Sequence, residues 1–174
     1  KKEGVFVYWR ENGLKECVRT YKKGMLDGIV VDWYENGQRE CSALYKEGKR
    51  EGPFTCWREN GKKKRLLHYE NDKKEGLFVD WRENGQRKRQ GYYKAGKWDG
   101  PLTSWHENGL QKCDAVFQDG KLWTASVWKP NGDKCPVSKV VNGNGVLVEY
   151  DDDGTESGRE TIKEVDFGGH SYGE

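Results

Sequence analysis

A tryptophan followed two places later by Glu-Asn-Gly returns every 24 residues, at Trp9, Trp33, Trp57, Trp81 and Trp105. A fixed period of this length marks stacked repeats, each of which buries its apolar surface only against its neighbours. Numbered from Gly4, Gly28, Gly52, Gly76 and Gly100, each unit has Trp at position 6 and Glu-Asn-Gly at positions 8–10. Position 18 is Tyr21, Tyr45, Tyr69, Tyr93 or Phe117, and position 21 is Gly, except at Asp72. Trp128-Lys-Pro-Asn-Gly132 and GVLVEYDDDG at 145–154 extend the pattern in altered form, which makes seven units.

Each unit reads as two short strands. Apolar and β-branched residues fill the first (GVFVYW, GLFVDW), Asn-Gly turns the chain, and the return strand ends at the Tyr. Helical periodicity is absent, and glycine recurs too often for helices. Pro130 directly precedes Asn131-Gly132. Its fixed φ suits the second residue of a type I turn with a left-handed glycine after it, so the loop has three residues. That loop sets position 6 opposite 12, 4 opposite 14 and 2 opposite 16, which puts the Trp and Tyr columns on one face. Lys15, Arg39, Lys63, Arg87 and Gln111 then stand opposite the five Trp, giving four indole–cation pairs.

Hydrophobic residues are 33% of the chain and charged residues 34%, too polar for one thick core. Eight Trp, nine Tyr and five Phe argue equally against disorder. The expected fold is all-β, a single elongated antiparallel sheet of tandem hairpins in about seven units of 22–24 residues. Fourteen strands at about 4.8 Å make it about 65 Å long. Residues 1–174 form one array: regular units over 4–123, altered capping units over 124–165 and an acidic tail over 166–174.

The pattern YKKGMLDG at 21–28, YKEGKREG at 45–52 and YKAGKWDG at 93–100, joined to Trp-x-Glu-Asn-Gly, resembles the MORN repeat. It is most similar to the bacterial MORN variant of YwqK-type antitoxin proteins, over roughly residues 4–165. Asp72, Phe117, Thr124 and Ile162 depart from the pattern. The resemblance implies an elongated sheet used for protein–protein contact, with dimerisation or phospholipid association in some members. It implies no shared catalytic residues.

The residues point to no catalysis either. His68, His106 and His170 have no recurring nucleophile or base beside them, and His106 takes a place held elsewhere by Arg10, Arg58 and Arg82, as one more exposed cation. Cys17, Cys41 and Cys113 share position 14, two strands apart, and five cysteines without a framework spacing favour free, half-buried thiols. Asp151-Asp152-Asp153-Gly154 aligns with the loops of other units and reads as a turn, lacking the ligands of a calcium loop. No cofactor and no metal site is expected.

Charge is uneven. Residues 58–97 carry thirteen Lys/Arg against six Asp/Glu, and residues 150–174 two against eight. Trp, Tyr and Arg are the residues that anchor interfaces. The expected binding face therefore comprises Trp57, Trp81, Tyr69, Tyr93, Lys63, Arg87, Trp33, Arg39 and Trp105. Its expected partner is an acidic protein, in the manner of an antitoxin or immunity protein. Alternatives are an anionic membrane surface, a second copy in a homodimer, or a strut in a larger assembly; nucleic acid is disfavoured because strand alternation thins the basic runs. No run of 18 apolar residues and no signal-peptide pattern is present, and a cytoplasmic location is expected.

Overall fold

The computed structural model describes residues 1–163, so the tail 166–174 and His170 lie outside the described residues. The strands are β1 Gly4–Trp9, β2 Lys15–Lys22, β3 Met25–Trp33, β4 Arg39–Lys46, β5 Lys49–Trp57, β6 Lys63–Glu70, β7 Lys73–Lys74 and β8 Gly76–Trp81. They continue as β9 Arg87–Lys94, β10 Lys97–Trp105, β11 Gln111–Gln118, β12 Lys121–Trp128, β13 Lys134–Val141, β14 Asn144–Tyr150 and β15 Glu156–Ile162. Among the described residues there is no helix. Every strand pairs antiparallel with its sequence neighbour in one open sheet, and β7 is a two-residue piece that pairs β6 off the main path. The single-sheet expectation holds.

The loop after each Trp has three residues. The Gly13 amide donates to the Arg10 carbonyl at 3.0 Å, and the Arg10 amide donates to the Leu14 carbonyl at 2.8 Å. Gly132 donates to Lys129 in the same way, with Pro130 second in the turn. Asn supplies a further bond: its Oδ1 accepts from the amide two residues on at Asn12, Asn36, Asn60, Asn84, Asn108 and Asn131, and Asp153 does the same. This side chain–backbone closure explains why the loop is Asn-Gly in unit after unit.

The register expected beyond that loop is wrong by one residue. Trp9 pairs Lys15, but Tyr8 pairs Cys17 and Phe6 pairs Arg19, so Glu16 is an extra residue bulged out of β2. The same shift recurs before Trp33, Trp57, Trp81 and Trp105. Position 5 therefore faces 14 and position 3 faces 16. A one-residue slip exchanges the faces of the whole return strand. Phe6 meets Tyr21 edge-on at 5.4 Å, and Phe54 meets Tyr69 at 5.8 Å. Trp9 and Trp57 stand three residues beyond those Phe and point the other way. The Trp and Tyr columns lie on opposite faces, and the shared-face expectation is overturned.

At the other end of each hairpin the turn has two residues, Lys23-Gly24 and its equivalents, both with positive φ. This is the type I′ geometry that matches strand twist. Asn71-Asp72 adopts it without a glycine, at φ 48° and 66°. Neighbouring units are stitched there: the amides of Lys23, Glu47, Asn71, Ala95 and Asp119 donate to Glu3, Asp27, Glu51, Glu75 and Asp99.

The face carrying Phe and Tyr, the back face, holds most of the buried side chains. Leu67, Tyr69 and Phe78 form one cluster in the middle units. Ala115, Ala125 and Val140 form another, onto which Leu102, Leu147 and Ile162 pack, so the sheet curls over its back at the C-terminal end. On the back face between β4 and β5, Cys41 and Cys56 are joined by a disulfide, Cα atoms 4.1 Å apart, which corrects the free-thiol expectation. Cys41 lies out of reach of the same position in other units, and its partner comes from position 5. The bulge puts positions 14 and 5 on the same face, and a separate register shift between Ala43 and Tyr45 in the β4–β5 pairing sets Cys41 directly opposite Cys56. Cys17, Cys113 and Cys135 are free.

Candidate functional site: an aromatic and cationic row on the front face

The bulge that separates Tyr from Trp also builds the row. Positions 6 and 12 remain opposed in every unit: Trp9–Lys15, Trp33–Arg39, Trp57–Lys63, Trp81–Arg87, Trp105–Gln111 and Trp128–Lys134. Indoles and cations therefore alternate across the sheet near the three-residue loops. Lys15 lies 5.7 Å from the Trp9 ring and 5.8 Å from that of Trp33, so it bridges two units. Lys63 reaches forward to Trp81 at 5.9 Å, and Lys134 lies 5.3 Å from Trp128. Lys15, Arg39, Lys63 and Arg87 are exposed, Trp9 is 58% exposed, and Trp33, Trp57, Trp81 and Trp105 are half-buried. At the acidic end the row closes with Tyr150 opposite Glu156.

What holds each Trp backbone from Trp33 onward is the residue that follows the Trp of the preceding unit. Arg10 donates from Nη2 to the carbonyl of Trp33 in the next unit at 2.8 Å. Tyr34 does so to Trp57, Arg58 to Trp81, Arg82 to Trp105, and His106 Nε2 contacts the Trp128 carbonyl at 2.9 Å. A hydrogen-bond donor at position 7 thus clamps each Trp backbone. The signal was present in the sequence as a column of donors, but it reads as surface charge until the neighbouring carbonyl is in view.

His106 departs most from expectation. It is 1% exposed and makes no surface cation. Its Nδ1 lies 3.0 Å from Asp152 Oδ1, 46 residues away, so units five, six and seven meet at one imidazole. The 151–154 segment is a turn, as expected, and Asp152 is its exception, accepting also from the Glu107 amide. Burial opposes ionisation of Asp152, yet the bonds from His106 and Glu107 hold its carboxyl below the usual range.

Of the nine candidate residues, the structure brings together Trp33, Trp57, Trp81, Trp105, Arg39, Lys63 and Arg87. It separates Tyr69 and Tyr93, which lie on the back face. Tyr69 is 5% exposed, and Tyr93 stacks on Trp98 with centroids 3.9 Å apart. Asp80 there accepts from Arg65 and Arg89, whose guanidinium groups cover Phe78. Those two cations are ion-paired with Asp80, although their side chains are 44% and 42% exposed. The bulged residue beside the row is Glu16 or Glu40 in the first two units and Lys64, Lys88 or Lys112 in the next three, so positive charge peaks in the middle.

Among the described residues no helix is long and apolar enough to cross a membrane. No curated protein matches the chain. Residues 26–47, 50–71 and 74–95 match the MORN repeat variant, in three tandem stretches that fall on units two to four.

Proposed function

We propose that this chain is a non-catalytic repeat scaffold whose front face holds an acidic protein partner. The observation that carries the reading is the row of half-buried indoles alternating with exposed cations. The indoles supply anchoring area, and the cations steer an oppositely charged surface and set register. An antitoxin or immunity role is the form of this reading that the repeat pattern favours. The test is binding of labelled poly-glutamate, followed by fluorescence anisotropy at two salt concentrations. Lys63→Glu with Arg87→Glu is expected to lower the association rate at least tenfold in low salt. Unchanged association would sink the reading.

A second reading, attachment to an anionic bilayer, draws on Val5, Ile29 and Leu44, exposed residues of the same face. Apolar side chains beside lysines suit a headgroup layer, where each cation contributes about 1 kcal/mol. Flotation with phosphatidylserine vesicles at two salt concentrations separates it from the first.

A further inference from the structure

We infer that the front row is a docking face for an acidic, proline-rich segment in the polyproline II conformation; this rests on the acidic-partner reading above. The inference comes from the row's period. One indole and one cation recur in each unit, and a unit advances the sheet by two strands, about 9.6 Å. A polyproline II helix has three residues per turn and rises about 3.1 Å per residue, so one of its edges repeats about every 9.3 Å. An extended β-strand alternates sides every residue and presents no such three-residue edge. An α-helix returns to the same side after seven residues, about 10.5 Å, and drifts out of step sooner.

The match extends over the first four units of the row. Lys15 to Arg87 spans three units, about 29 Å, and nine residues of polyproline II span about 28 Å. Four carboxylates spaced by three residues thus meet four exposed cations. The cation and indole of a unit stand one strand apart, about 4.8 Å. Two prolines following each acidic residue lie about 3.1 and 6.2 Å beyond it and straddle the indole. The backbone of such a segment makes no internal hydrogen bonds and is already extended, so docking orders little. The clamp bonds from position 7 recur at nearly the same length from Arg10 to Arg82, so each Trp backbone from Trp33 to Trp105 is tied to the unit before it in the same way. Gln111 in place of a fifth cation interrupts the row, Lys134 resumes it opposite Trp128, and Glu156 ends it.

Three capped twelve-residue peptides of equal charge test this on the intact chain: (Glu-Pro-Pro)4, its isomer Glu-Pro-Glu-Pro-Glu-Pro-Glu-Pro-Pro-Pro-Pro-Pro, and (Glu-Gly-Ser)4. Fluorescence anisotropy is expected to show the first binding at least tenfold tighter than the other two. Lys63→Ala with Arg87→Ala, both exposed and outside the core, is expected to remove that preference. Equal binding of all three overturns the polyproline proposal while leaving the acidic-partner reading in place. Binding of none of them, with poly-glutamate also unbound, overturns both. Binding to anionic vesicles alone overturns both in favour of the bilayer.

Discussion

Gly96 and Gly145 look alike in the sequence and differ sharply in the fold. A Cβ on Gly96 meets nothing within 4 Å, so Gly96→Ala costs only the strain of φ +89°, about 1 kcal/mol. A Cβ on Gly145 falls 2.0 Å from the Lys139 carbonyl oxygen. Gly145→Ala is expected to unfold the last two hairpins, and urea titration of the two variants side by side checks the contrast. A second residue-scale prediction concerns the clamps. Arg58→Met leaves the Trp81 carbonyl without its donor and is expected to cost about 1–3 kcal/mol. Lys63→Met, five residues on and exposed, should stay within about 0.5 kcal/mol. Asp152 adds a pH dependence. Its carboxyl sits below its ordinary value of 3.8 in the fold. Its contribution is therefore complete above that value and lost as pH falls through the lower folded one. Asp152→Asn should flatten the stability curve below pH about 4, read by thermal melts across pH.

At the scale of elements, the hairpin and its loop were legible because their causes are local. Asn-Gly, Pro130 and the apolar run before each Trp fix strand, turn and strand within one unit. The bulge at Glu16 and its equivalents was illegible, since it is imposed by pairing on both sides and leaves no residue signature: Glu, Glu, Lys, Lys and Lys fill it. Missing it misplaced Tyr69 and Tyr93 and hid the Cys41–Cys56 seam, while the Trp–cation pairs survived because they precede the bulge. His106 was misread for a related reason, since its partners lie 22 and 46 residues away. The disulfide bears a prediction of its own. It closes a segment of 15 residues between units two and three, for which chain entropy suggests about 3 kcal/mol. Dithiothreitol should lower the melting temperature, Cys41→Ser with Cys56→Ser should abolish that response, and a thiol assay on the unfolded, unreduced chain should find Cys17, Cys113 and Cys135 alone. Such a bond persists in oxidising surroundings, which bears directly on the expected cytoplasmic location.

For the whole molecule, the stack sets an order of unfolding. A repeat array is stabilised by its units and by the seams between neighbours, with no contact shared by all of them. The seams here are unequal. Units one and two contribute nothing to the three buried clusters, and β1 has one neighbour, which leaves Val7 40% exposed where its equivalents Val31 and Val79 are 8% and 4%. Units three and four share the Leu67–Tyr69–Phe78 cluster and the stacked Tyr93–Trp98 pair, and Trp98 reaches Phe117 of unit five. Units five to seven are drawn together by the His106 contact and the curled cluster around Val140. Amide hydrogen exchange is therefore expected to be fastest in β1 and β2 and slower by at least tenfold in β6, β8 and β9. Protection should rise at the disulfide seam between β4 and β5, and reduction should move that step toward β6. Uniform protection from β1 to β15 would mean that the sheet opens as one cooperative body, and the unequal seams would then have no energetic consequence. The gradient also bears on binding, because an occupant lying along Trp9 to Arg87 crosses the weakest seam. It should slow exchange most in β1 and β2, where the free sheet is loosest, and that redistribution would locate the occupant along the row without a structure of the complex.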